Sequence, residues 1–157
     1  MQRISDALEL LTAQHDEIEA LLAEIADTAN PDRRSQAITD LADRITVHLA
    51  AEQELFYPAV SMLISTDVHT ELLAEHGEIK RLLADLLWLE GDDTRLERKL
   101  SALKSLIDCH CTWQERELFE NVAEVRSPEE LSALGTEISG WIDSIIDATQ
   151  IATPIAA

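Results

Sequence analysis

Apolar residues return every three or four positions through five successive stretches of this chain, and short polar breaks divide them. Leu8, Leu11, Ile18, Leu22 and Ile25 make the first stripe, and Ile38, Leu41, Ile45, Leu55 and Met62 the second. The third runs through Leu72, Ile79, Leu83 and Leu86, the fourth through Leu96, Leu100, Leu103 and Ile107, and the fifth through Leu131, Leu134, Ile138, Trp141 and Ile145. That alternation is the period of an amphipathic helix. The first helix is expected to begin near Ile4. Asn30-Pro31 ends it and caps the second, in which Pro58 should produce a kink. The third starts around Ser65 to Asp67, Gly91-Asp92-Asp93-Thr94 is the next break, and Ser127-Pro128-Glu129-Glu130 reads as a capping box. Connections this short make successive helices antiparallel. The expected fold is therefore all-α, an up-down-up-down four-helix bundle over about 4–123. An additional C-terminal helix, about 128–150, either covers an apolar face or mediates association. A single domain over 1–150 and a flexible tail over 151–157 complete the expected organisation.

With only four Gly and four Pro in 157 residues, the composition agrees with helix. No apolar run is long enough to span a bilayer, and the N-terminus lacks the basic and apolar regions of a signal peptide, so the expected address is cytoplasmic. A formal charge of -19 argues against DNA, RNA or an anionic membrane as partner. Cys109 and Cys111, two apart on a helix, point away from each other and are not expected to form an internal disulfide.

The apolar stripes carry an anomaly. His15, His48, Glu52, His76 and His110 all occupy core-facing positions, one histidine on each bundle helix. Buried His and Glu are costly unless they are paired or bind metal. Counting about 1.5 Å of rise per residue from each turn puts the five within about one helical turn of a common level. His48-x3-Glu52 sets an imidazole and a carboxylate on one face, so that one ion takes the imidazole while the carboxylate bridges to a second. Imidazole with carboxylate favours iron or manganese and also admits zinc. On the fourth helix the stripe slips by one residue after His110. An extra residue, as in a π-bulge, would let both His110 and Glu115 face the core. The rival pairing of Cys111 with Glu115 would place a thiolate in an imidazole–carboxylate site, and His110 is preferred on that ground.

These motifs resemble the hemerythrin family, including its bacterial HHE cation-binding branch. They are His15 within Gln14-His15-Asp16-Glu17-Ile18, His48-x3-Glu52 followed by Leu55-Phe56-Tyr57-Pro58, Glu75-His76, and His110-x4-Glu115 with Leu118-Phe119. The resemblance implies two non-haem iron ions, oxo- or hydroxo-bridged. His15, His48, His76 and His110 would be terminal ligands, with Glu52 and Glu115 bridging. It implies a small-molecule ligand, dioxygen, peroxide or nitric oxide, beside a dry pocket of Ile18, Phe56, Leu118 and Phe119. One departure stands out: the family supplies two histidines from its third helix, whereas Leu72, Leu73 and Lys80 surround His76 here. Glu19 and Glu71 are candidate substitutes, and His69 lies two turns from His76. Fewer protein ligands leave more open positions, which leans from reversible carriage toward a peroxide-decomposing, catalase-like activity. A role in iron homeostasis or iron–sulfur repair is the further alternative.

Overall fold

A computed structural model of the protein describes residues 6–151, and these form five long helices without a strand. Asp6 caps α1 (Ala7–Asp27) by accepting from the backbone N–H groups of Leu8 and Glu9. The expected start near Ile4 lies outside the described residues, as does the expected tail over 151–157 except Ile151, which ends the last helix. Asn30 caps α2 (Pro31–Ala51) through Arg33, with Pro31 in the first turn, where its missing N–H costs nothing. Ser65 caps α3 (Thr66–Leu87). After a turn over 88–95 comes α4 (Leu96–Trp113). In the box that opens α5 (Pro128–Ile151), the Ser127 N–H donates to Glu130 Oε2 at 2.8 Å and the Glu130 N–H to Ser127 Oγ at 3.2 Å.

Neither α2 nor α4 stops where its regular α-helix does. Each passes through one π turn, Glu52–Phe56 and Gln114–Leu118, and then resumes as Tyr57–Ala59 and Phe119–Val125. In the first the Tyr57 N–H donates to the Glu52 carbonyl, and in the second the Phe119 N–H donates to the Gln114 carbonyl. Both are five-residue reaches that accommodate one extra residue. Pro58, which has no N–H to give, follows the first of them, and the helix ends one residue later at Ala59.

Cross-helix pairs fix the directions. Glu17 with Arg44 and Asp85 with Lys99 make α1/α2 and α3/α4 antiparallel hairpins. Arg34 with Glu97 at one end, and Arg126 donating to the Ala59 carbonyl at the other, hold α2 parallel to the fourth helix. Two apolar clusters fill the interior. One contains Ile25, Leu41, Ile45, Ile79, Leu86 and Leu103, the other Leu11, Phe56, Val60, Leu72, Phe119 and Val122. Between them lies the polar layer. The fifth helix covers an apolar face of the bundle: α5 packs along α1 and buries Leu131 and Ile138 in the second cluster. None of the described helices is long and apolar enough to cross a membrane.

Gly91, in the turn between α3 and α4, sits on the first residue of α2. A Cβ there would stand 2.1 Å from the Pro31 carbonyl oxygen, and backbone cannot swing aside as a side chain would. Gly91→Ala is expected to lower stability by about 1–3 kcal/mol, read as a drop in the midpoint of urea unfolding. An unchanged midpoint would mean that this turn is not seated on α2.

Candidate metal centre

Four helices each bring one imidazole to the layer, and α2 adds a carboxylate one turn beyond its histidine. His15, His48, Glu52, His76 and His110 are 4, 3, 0, 1 and 2 % exposed, so bulk water solvates none of them. Glu52 stands in the middle. Its Oε1 lies 3.2 Å from His48 Nε2, while its Oε2 lies 3.1 Å from His76 Nε2 and 3.3 Å from His110 Nε2. The donors fall into two groups that share Glu52. His15 and His48 form one with it and His76 and His110 the other, and within each all ligand atoms lie within 4.8 Å of one another.

Three of the rings are aimed from behind. The Nδ1 of His15 is 2.7 Å from Glu115 Oε1, that of His48 is 2.7 Å from Gln14 Oε1, and that of His110 is 2.9 Å from Glu75 Oε2. Such contacts fix the tautomer and leave Nε2 turned inward as a lone-pair donor. Several buried atoms are left without a hydrogen-bond partner: Nε2 of His15 and of His48, Oε1 of Glu52, Nδ1 of His76 and Oε1 of Gln114. Each unpaired group costs about 1–3 kcal/mol when no partner is supplied. His48 Nε2 and Glu52 Oε1 face each other at 3.2 Å without hydrogen-bond geometry. Inward lone pairs on two-imidazole, one-carboxylate-oxygen sets are what a cation such as iron, manganese or zinc would satisfy. The residues present fit a pair of metal ions.

Glu115 stands outside both groups. Expected as a second bridge, it is 40 % exposed and stands behind His15, orienting that ring rather than joining either group. The reason is where the slip in α4 occurs. A π turn is present, but it opens at Gln114, so the residue four after His110 still faces the core and Glu115 turns outward. His110 is turned to the layer, and Cys111 packs beside the first apolar cluster, where burial, aided by the Glu52 charge, pushes its thiol upward and keeps it protonated. Glu19 and Glu71 are exposed and join neither group. His69 does not join either; its ring and that of Tyr57 stand nearly perpendicular, centroids 6.1 Å apart.

Gln114 and Tyr57 complete the layer. Gln114 is fully buried, and its Nε2 donates to the Tyr57 hydroxyl at 2.8 Å. That hydroxyl donates to Glu52 Oε2 at 3.1 Å and lies 3.1 Å from His76 Nε2. The periodicity did not mark Gln114 as a member of the layer, although the sequence carries a signal. His48-x3-Glu52-x3-Phe56-Tyr57-x2-Val60 matches His110-x3-Gln114-x3-Leu118-Phe119-x2-Val122 in step. Likewise Gln14-His15 matches Glu75-His76, and in each case the residue before the histidine orients the ring on the next helix. The two hairpins thus form corresponding halves, in which Glu52 is exchanged for Gln114 and Tyr57 for Phe119. Tyr57 lies against His76 at 5.6 Å, where the other half has Phe119 stacked on His15 at 5.9 Å.

Without metal, the layer holds its charge by mutual contact. Burial works against ionisation of Glu52, but the nearby His48 and the bonds from His110 and His76 hold its carboxyl well below the ordinary 4.5. Burial also opposes the charged form of His110, yet bonds to Glu52 and Glu75 prevail and push it up to about 9. His15 is lowered by burial and by His48. A raised histidine contributes stability that is complete below its unfolded value of 6.5 and lost as pH rises through about 9. The depressed Glu52 and His15 contribute stability present above their ordinary values and lost on acidification. The melting temperature of the metal-free protein should therefore fall on both sides of neutrality. His110→Gln should flatten the alkaline limb and, by removing one of the bonds that keep Glu52 ionised, move the acid limb to higher pH, as followed by circular dichroism. An alkaline limb unchanged by that substitution would remove His110 from the charge balance.

Comparison with known proteins agrees with this geometry. The chain is 22% identical over 129 residues to a DNA nickase of Nostoc sp., covering 82% of this chain but 37% of that relative, little more than a third of its length. It is 22% identical over 142 residues to an uncharacterized protein of Mycobacterium tuberculosis, covering 89% of this chain and 87% of the other. The crystal structure of a hemerythrin HHE cation binding domain-containing protein from Mycobacterium kansasii aligns with a TM-score of 0.78 at 25% identity, over 89% of this chain and 86% of that one. The family model of the hemerythrin HHE cation binding domain matches residues 6–122, a span that contains every ligand candidate and both π turns. The chain belongs to the hemerythrin HHE cation binding domain family.

Proposed function

We propose that the polar layer holds two iron ions and that the pair reacts with a small oxidant: peroxide, dioxygen or nitric oxide. His15, His48 and Oε1 of Glu52 would hold one ion, and His76, His110 and Oε2 of Glu52 the other. The observation that carries this reading is Glu52 itself, wholly buried, with one oxygen in each group of donors. When bound, the pair supplies redox chemistry toward an oxygen or nitrogen ligand. The protein's own part is positioning and dryness. The contacts from Glu115, Gln14 and Glu75 hold three rings still. Phe56 and Phe119, edge to face at 5.5 Å, keep water from one side of the layer. Burial, then the Glu52 charge, raises Tyr57 far above its ordinary value, so it stays a hydroxyl that directs a proton at Glu52 Oε2.

Peroxide turnover is favoured over reversible carriage. Each half offers two imidazoles and one carboxylate oxygen, with the Tyr57 hydroxyl beside one of them, which leaves coordination positions for an outside ligand. Release of labile iron to an acceptor is the second reading, and exposure of Glu115 behind His15 is what favours it. Action on DNA, named for the Nostoc relative, is not proposed, because a formal charge of -19 opposes a polyanion.

Metal analysis after anaerobic loading with ferrous iron should give about two irons per chain. Glu52→Ala should lose both, whereas His15→Ala should lose mainly one and lower affinity for it by about 10–100-fold or more. Hydrogen peroxide added to the loaded protein should release oxygen, and Tyr57→Phe should change that rate without emptying the site. Iron that binds equally well to Glu52→Ala would exclude the layer as the metal centre. Iron that passes to a ferrous chelator faster than peroxide is consumed would favour the release reading.

A further inference from the structure

The side of the bundle next to His48 is not closed. A cleft of about 790 Å³ opens between α1, α2 and the later part of α5, with His48 and Gln14 among its lining residues. Its apolar wall is built by Ile18 and Leu21 from the first helix, Val47 from the second, and Ile142 and Ile146 from the fifth. Ile142 and Ile146 lie beyond residues 6–122, so the wall depends on a helix outside the span that defines the family. Dioxygen or hydrogen peroxide would fill a small fraction of this space. Sites of about 300–1,000 Å³ hold organic ligands.

The polar group at the inner end has a defined character. Gln14 Oε1 is occupied by His48 Nδ1, which fixes the amide, and its N–H₂ group makes no hydrogen bond among the described residues. The cleft therefore offers a hydrogen-bond donor next to a ring of the metal layer. At its rim Arg44 is paired with Glu17, and Asp40 and Asp43 add negative charge, so an anionic head is disfavoured. An occupant that suits all of these features is uncharged, with an apolar body and one acceptor oxygen.

We infer that this cleft binds a small uncharged organic oxygen compound, an organic hydroperoxide or its alcohol, with the oxygen at Gln14 beside His48 and the apolar body against Val47, Ile142 and Ile146. The inference names the substrate class of the proposed oxidant-reactive centre and rests on that reading for its purpose, but binding to the cleft requires no metal. The test uses the full chain, metal-free and iron-loaded, with methyl-labelled isoleucine and valine followed by NMR. 2-Phenyl-2-propanol serves as the alcohol probe, cumene hydroperoxide as the peroxide probe and benzoate as the anionic control. Expected are saturable shifts at Ile18, Val47, Ile142 and Ile146 in both forms of the protein. Benzoate should bind at least tenfold more weakly, and Val47→Trp and Ile146→Trp, which fill the cleft from different helices, should abolish the shifts. Hydroperoxide binding without alcohol binding would assign the cleft to substrate alone, and equal binding would assign it to both. Absence of saturable shifts, equal binding of benzoate, or shifts that persist in both tryptophan variants would overturn the inference. A wild-type chain that shows the shifts but takes up no iron would leave the cleft standing and remove the metal-centre reading.

Discussion

A carboxylate with no access to water, set among four imidazoles, governs the interior of this protein. Glu52 is the one negative side chain in a layer that separates two apolar clusters, and an isolated charge there would cost more than any single apolar contact returns. Its position is tolerable because every neighbour is a nitrogen or hydroxyl that can donate to it or share a cation with it. Helix directions, the level of each histidine and the orienting contacts behind them are all consistent with serving that one group. The bundle's apolar clusters supply the bulk of the burial, while the layer decides which packing of the helices is acceptable.

The corresponding halves explain why the site is asymmetric although its scaffold is nearly not. Each hairpin supplies a histidine preceded by a polar residue and a histidine followed at the fourth place by Glu or Gln. Because Gln114 is neutral where Glu52 is charged, the layer carries a single carboxylate. Because Tyr57 has a hydroxyl where Phe119 has none, only the His76 and His110 side gains an extra oxygen. The Gln114 amide donates to Tyr57, and the Tyr57 hydroxyl donates to Glu52, so the two exchanged residues act as one chain of hydrogen bonds.

The helices and the five central ligand candidates were legible in the sequence because polar residues on an apolar stripe contradict their own surroundings. His15, His48, Glu52, His76 and His110 announce themselves that way. The place of Glu115 behind His15 was not legible, because the stripe alone does not say at which residue the extra one is absorbed; it shows only that phase has changed between Ile107 and Leu118. Gln114 was overlooked for a related reason, since a glutamine in a slipping stretch reads as surface. The contacts of Gln14 and Glu75 were hidden because each reaches across to a neighbouring helix, and pairings of that kind depend on helix rotation, which periodicity does not determine. The covering role of the fifth helix likewise depended on which face of the bundle remained open.

The paired π turns have an effect on how such a chain tolerates change. One added residue turns everything beyond it by about 100° around the helix axis. Ligand spacing demands one angular setting upstream of Glu52 and Gln114, and packing of Phe56, Tyr57, Leu118 and Phe119 demands another downstream. The wide turn works as a gear change between the two demands. Substitutions that re-pack the outer end of the bundle can then accumulate without rotating the histidines or Glu52, so long as Tyr57 keeps its hydroxyl on Glu52.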